Sequence, residues 1–169
     1  SASVNLVVIN NAPVANAQSI TLLEDSVYNG TLTGSDSEAN ALVYSLVTQG
    51  SKGLFTITNT ATGAFTYVPN ANANGSDSFT FKVNDGVLDS AAATVTVNIT
   101  PVNDAPVANA QTISPIEDTT FTGTLTASDI DSSALTYTVV TQGTKGIVTI
   151  SNTATGAFTY VPNANANGS

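Results

Sequence analysis

The chain has 169 residues, 41 % of them hydrophobic and only 9 % charged, against roughly 25 % charged in an ordinary soluble domain. Twelve acids face three lysines and no arginine, for a net charge of −9; such a chain cannot neutralise phosphates, which excludes nucleic acid and anionic membrane surfaces as partners and makes a cation the natural counterpart. Cys, His, Trp and Met are absent, which removes disulfides, thiolate and imidazole metal ligands, and the usual general base.

Taken in chain order, the sequence alternates with period two and is rich in Thr, Val, Ile and aromatics, the pattern of half-buried strands. The stretch 4–9 reads as an isolated last strand. Seven further strands are expected at 19–22, 27–34, 42–49, 54–58, 64–68, 78–84 and 92–99. Turn pairs separate several of them, among them Gln49-Gly50, Thr62-Gly63, Pro69-Asn70, Asn74-Gly75 and Asp85-Gly86. The alternation is cleanest at 79–83 and 95–99, where Phe79, Phe81, Val83, Val95, Val97 and Ile99 should point inward and Thr80, Lys82, Thr96 and Asn98 outward. No window carries a 3.6-residue period, and no apolar run approaches the ~20 residues of a membrane helix.

A shift of 93 residues aligns 13–76 with 106–169 without a gap, and 44 of those 64 positions are identical. Residues 1–10 are then expected to be the tail of a preceding repeat, 11–103 a complete repeat, and 104–169 a second that stops before its last two strands. The chain reads as a piece of a longer tandem array. Seven short strands per repeat of about 93 residues predict an all-β fold, an immunoglobulin-like seven-stranded sandwich in tandem.

The acids collect between strands and recur with the repeat. Glu24-Asp25 returns as Glu117-Asp118, and Asp36-Ser37-Glu38 as Asp129-Ile130-Asp131. Asn103-Asp104 stands in the linker, Asp77 before the sixth strand and Asp85 after it. Alternate loops of a sandwich gather at opposite ends. Stacked repeats should therefore bring Glu24 and Asp77 of one toward Asp129 and Asp131 of the next, with Asn103-Asp104 between. Carboxylates a few ångströms apart repel by roughly 1–4 kcal/mol per pair at effective dielectrics of 80 down to 20. A bound cation relieves that cost, and an oxygen-only ligand set suits Ca²⁺. The candidate metal ligands are Glu24, Asp36, Glu38, Asp77, Asp85, Asn103, Asp104, Glu117, Asp129 and Asp131; the alternative is that the acids simply keep a Thr- and Ala-rich surface soluble.

At these residues the sequence resembles cadherin repeats, and more closely the bacterial cadherin-like tandem repeats of large surface adhesins. The elements that carry the resemblance are Glu24, Asp36-Ser37-Glu38 with Asn40-Ala41 and Tyr44, Asp85, and Val102-Asn103-Asp104-Ala105-Pro106. In the second repeat they are Glu117, Asp129-Ile130-Asp131, Ala134 and Tyr137. The resemblance implies calcium at each repeat junction, stiffening the array, in a secreted or cell-surface bacterial protein. Its partners would be neighbouring repeats of the same chain, other copies, and cell-surface or glycan ligands. The first linker departs from the pattern: it reads Asn10-Asn11 where the second reads Asn103-Asp104, and Glu38 stands where an Asp is usual. Weaker binding or fewer ions are expected there.

Sharper readings find less support. The stretch 36–40 lacks the glycine and the distant glutamate of an EF-hand loop. Paired carboxylates could serve glycoside hydrolysis, but the aromatics fall at core spacing, so no enzyme is expected. Lys82 alternates with Phe81 and Val83 and should face solvent. The leading functional expectation is a calcium-stiffened structural or adhesive repeat. The alternatives are a subunit of an extracellular filament assembled by strand donation, and a carbohydrate-binding module, which would need an exposed aromatic platform.

Overall fold

The computed structural model describes residues 9–166. The expected strand at 4–9 lies outside the described residues apart from Ile9. The chain divides into two compact units, 1–102 and 103–169, and each is described separately.

In the first unit, four strands form one sheet: β2(Gln18–Leu23), β5(Val43–Thr48), β8(Gly75–Asn84) and β9(Ala93–Thr100), in the order β2-β9-β8-β5. β2 runs parallel to β9, and the other pairings are antiparallel. A second sheet takes the order β3-β7-β6 from β3(Tyr28–Thr31), β6(Gly53–Asn59) and β7(Ala64–Pro69). Two short strands, β1(Val14–Ala15) and β4(Gly34–Ser35), pair with each other. This is a sandwich of immunoglobulin-like topology.

The alternation read from the sequence decides which side chains close the sandwich. Phe79, Phe81, Val83, Val95, Val97 and Ile99 are buried on the inner face of one sheet, and Phe55, Phe65 and Tyr67 on the inner face of the other. Phe55 and Phe79 stack across the gap with ring centroids 3.8 Å apart. Phe65 meets Phe79 edge-on at 5.9 Å. Each such aromatic buries on the order of 150–250 Å², so these few rings dominate the core.

Two boundaries differ from the sequence reading for identifiable reasons. The stretch 27–34 is not one strand. Leu32 is buried, and its N–H bonds to Gly63 O at 2.8 Å, so the chain leaves the β3-β7 ladder there and resumes as β4 beside β1. A Cβ at Gly34 would lie 2.9 Å from Val14 O, the close approach that a glycine permits. Second, β8 begins at Gly75 rather than 78, because Gly75, Ser76 and Asp77 continue the ladder opposite Ile99, Asn98 and Val97. Asp77 is therefore a strand residue on the same side as Phe79 and Phe81, not a loop residue.

The second unit reproduces half of this plan. β11(Phe121–Thr124), β13(Gly146–Asn152) and β14(Ala157–Pro162) form a sheet in the order β11-β14-β13, and β10(Val107–Ala108) pairs with β12(Ala127–Ser128). Registers repeat with the 93-residue shift: Gly146 faces Pro162 as Gly53 faces Pro69. The positions equivalent to β2 and β5, at 111–116 and 136–141, carry no strand. In the first unit those strands pair with β9 and β8; among the described residues of the second unit neither segment has a ladder partner. A strand without a ladder partner leaves its backbone groups to water and gains nothing from being extended.

Candidate functional site

Six of the seven acids of the first unit fall into three settings, and the seventh, Asp89, pairs with Lys82 and Asn84. At the linker end, Asp36 Oδ1 accepts the N–H groups of Glu38 (3.0 Å) and Asn40 (2.9 Å), a turn in which Ala39 takes a left-handed φ of 61°. Asp36 Oδ2 is buried and has no hydrogen-bond partner. Asn11 donates to both oxygens of Glu38, from its backbone N–H at 3.1 Å and from its side-chain amide at 2.6 Å. Asn10 donates to Asp85 Oδ2 at 2.8 Å, and Asn40 donates to Asn10 Oδ1 at 3.1 Å. Asp85 Oδ1 accepts from Val87 and Leu88, each at 2.7 Å, which holds the loop after β8. Asn11 holds the Glu38 carboxyl below its ordinary range, and the bonds from Leu88 and Asn10 do the same for Asp85. Asn10, Asn11, Asp36, Glu38, Asn40 and Asp85 thus form one connected pole. The sequence placed the acids there; the amide clamps needed the Asn residues to be read as donors to those acids.

At the opposite end, Glu24 is only 3 % exposed. Its backbone N–H bonds to Thr100 O at 2.9 Å, and its Oε1 accepts from Val102 N at 2.6 Å, which ties the end of β2 to the tail of β9. Glu24 Oε2 is buried without a hydrogen-bond partner. Beside it Asp25, at φ 57°, accepts from Asn72 N at 3.3 Å.

Asp77 is bonded to neither group's acids. Its carboxylate is saturated from within the sandwich: Ser51 N (2.9 Å) and Ser51 Oγ (3.4 Å) donate to Oδ1, and Lys52 N (3.1 Å) and Tyr67 Oη (2.7 Å) donate to Oδ2. Burial pushes this carboxyl up, but the bonds from Tyr67, Ser51 and Lys52 outweigh it and hold the group below the usual carboxylate range. Burial first, and then the contact with Asp77, push the Tyr67 phenol up. Nothing in an Asp before a strand signalled this; only its inward register beside Phe79 could have.

In the second unit, Asp129 Oδ1 accepts from Asp131 N (2.9 Å) and Ser132 N (2.7 Å), a tighter turn than that of Asp36, which accepts from Glu38 N and Asn40 N. Asp104 N donates to Asp131 Oδ2 at 2.6 Å, as Asn11 N does to Glu38. Asn103 donates to Asp104 O at 2.7 Å. Glu117 is exposed, and Asp118 accepts from Asn165 N at 3.4 Å, as Asp25 does from Asn72. Among the described residues no three acids converge as a ready-made metal cage. An ion at either pole would have to draw on amide and backbone oxygens as well as carboxylates, which a six- to eight-coordinate Ca²⁺ accepts.

Residues 10–98 and 103–169 match the family described as bacterial Ig domain. The chain belongs to the bacterial Ig domain family. No curated protein sequence matches it. Among solved structures, the two-repeat human protocadherin-24 EC1-2 (form II) aligns with 94 % of this chain and 81 % of its own, at 19 % identity and a TM-score of 0.65. Human CDH23 EC21-23 aligns with 92 % of this chain and 60 % of its own, at 20 % identity and a TM-score of 0.60. The protocadherin gammaB4 extracellular domain aligns at 19 % identity with a TM-score of 0.53, over 94 % of this chain but 30 % of that one. The chain thus spans less than two thirds of the last two structures. These likenesses show the fold: this bacterial Ig domain chain is an all-β, cadherin-like sandwich. Among the described residues no helix is long and apolar enough to cross a membrane.

Proposed function

We propose that the chain is a calcium-stiffened structural or adhesive repeat of a large extracellular bacterial protein, without catalytic activity. The observation that supports this best is Glu24. A carboxylate so fully enclosed, with Val102 N on one oxygen and no hydrogen-bond partner on the other, carries an uncompensated desolvation cost. A cation on Oε2 removes that cost. Asp36 Oδ2, buried and without a partner at the other pole of the same unit, is a second oxygen of this kind. With no imidazole or thiolate in the chain, the available donors are all oxygens, which selects Ca²⁺ over transition metals.

Calcium would supply charge neutralisation at the ends of each repeat. Glu24, and in the second unit Asp104, Asp129 and Asp131, are the residues that would hold it. The absence of exposed aromatic platforms among the described residues, with Tyr44, Phe55, Phe65, Tyr67, Phe79 and Phe81 all buried, favours this reading over a carbohydrate-binding module. The partners are neighbouring repeats and, for an adhesive role, surface ligands that the fold does not name.

Following thermal unfolding of the chain in EDTA and in increasing CaCl₂ tests the reading. A ligand that binds only the folded state at a hundred times its Kd stabilises by about 2.7 kcal/mol, so Tm must rise with calcium. Glu24→Gln should blunt that rise. An unchanged Tm at millimolar calcium overturns the proposal.

A further inference from the structure

We infer that at the linker pole of the first unit asparagine amides stand on the Glu38 and Asp85 carboxylates where an ion would otherwise be required, so that Asn10 and Asn11 make those two groups independent of calcium. This rests on the calcium reading above for what the other poles do, but its geometry stands by itself. Asn11 places two N–H donors on the two oxygens of Glu38, Asn10 places one on Asp85, and Asn40 locks Asn10 in turn by donating to its carbonyl. An N–H hydrogen carries partial positive charge and points at the carboxylate lone pairs that a cation would use. An ion can take those oxygens only after the clamp opens, so the clamp competes with it directly.

The two units differ at the residues this argument needs. Position 11 is Asn and its equivalent 104 is Asp; position 38 is Glu and its equivalent 131 is Asp; position 40 is Asn and its equivalent 133 is Ser. The three changes go together physically. The longer Glu38 reaches far enough to accept from the backbone and the side chain of Asn11 at once, whereas Asp131 accepts only the backbone N–H of Asp104 among the hydrogen bonds described. Asp104 has no side-chain N–H to offer and adds a like charge instead. The first pole is thus built around donors and the second around acids.

Calcium titration calorimetry and thermal unfolding of the full chain, in EDTA and in CaCl₂, test this. Glu38→Gln and Asp85→Asn should leave the calcium stoichiometry of the parent chain unchanged, and Asn11→Asp should add at least one ion. In EDTA, Asn11→Asp and Asn11→Ala should both lower Tm by a few degrees, and only Asn11→Asp should regain the loss when calcium is added. A stoichiometry that falls with Glu38→Gln overturns the inference, and so does a Tm in EDTA that neither Asn11 variant moves. If the parent chain takes no calcium at all, the calcium reading fails, and the EDTA measurements alone still decide whether the amide clamp exists.

Discussion

The Tyr67 hydroxyl donates to Asp77 Oδ2 at 2.7 Å, joining the inner faces of the two sheets at one end of the first unit's core. Tyr67 lies on β7 and Asp77 on β8, and the remaining bonds to Asp77 come from Ser51 and Lys52 in the turn between β5 and β6. One carboxylate therefore fastens a strand of each sheet and the loop that crosses between the sheets.

Tyr67→Phe removes one donor and leaves Asp77 Oδ2 buried with the Lys52 N–H alone. Loss of a partner from a buried charged acceptor costs about 1–3 kcal/mol, and urea denaturation should show a loss of that size. Asp77→Asn should cost at least as much, because it replaces an acceptor oxygen with an NH₂ group that faces donors. Adding Tyr67→Phe to Asp77→Asn should cost less than it does alone, as expected for two residues sharing one bond.

The same group predicts an acid limit to stability. The folded-state pKa of Asp77 lies below its ordinary value of 3.8, so its contribution is complete above that value and is lost as pH falls through the lower, folded-state pKa. Glu38 and Asp85 shift in the same direction, and Glu38, being exposed, adds less. Tm should therefore hold from neutrality to about pH 5 and fall below pH 4. In Asp77→Asn the drop between pH 7 and pH 3 should be visibly smaller, measured by circular dichroism melts across that range.

Much of the sandwich was legible because alternation is a local signal: Phe79, Phe81 and Val83 announce an inward face wherever their partners lie. Where the strand ends was less legible. Asp77 looked like a loop acid because a charged residue breaks the apolar pattern, and only the Tyr67 hydroxyl and the Ser51 and Lys52 amides, distant in sequence, make an inward carboxylate affordable. The pole acids were legible as a repeated pattern. Their asparagine clamps were not, since an Asn–Glu bond between residues 11 and 38 depends on how the linker folds back on the turn.

Phe79 offers a test of how the core is weighted. It is fully buried, stacks on Phe55, and lies within 6.4 Å of the Tyr67 ring centroid. Phe79→Ala should cost about 3–5 kcal/mol, enough to unfold the first unit at ambient temperature if its total stability is at the low end of the usual range. Phe79→Leu keeps most of the volume and should fold with a lowered denaturation midpoint. Equal midpoints for Phe79→Leu and the parent would show that the stacking geometry adds nothing beyond volume.

The two units should also differ in how long their backbones resist exchange. Protection requires a hydrogen bond inside a cooperatively closed element. In the first unit β8 lies between β9 and β5, with its inner face against Phe55, Phe65 and Tyr67, so its amides can exchange only through global opening. In the second unit β14 is likewise central to its sheet, yet among the described residues Phe158 is the buried large hydrophobic there, and Val148 and Tyr160, the counterparts of the buried Phe55 and Tyr67, are only partly buried. The segments equivalent to β2 and β5 have no ladder at all. Hydrogen–deuterium exchange of the 169-residue chain should therefore show β8 and β9 exchanging last, β13 and β14 orders of magnitude sooner, and residues 111–116 and 136–141 at once. Comparable protection in β8 and β14 would mean that a three-stranded sheet is held here by something other than a partner sheet.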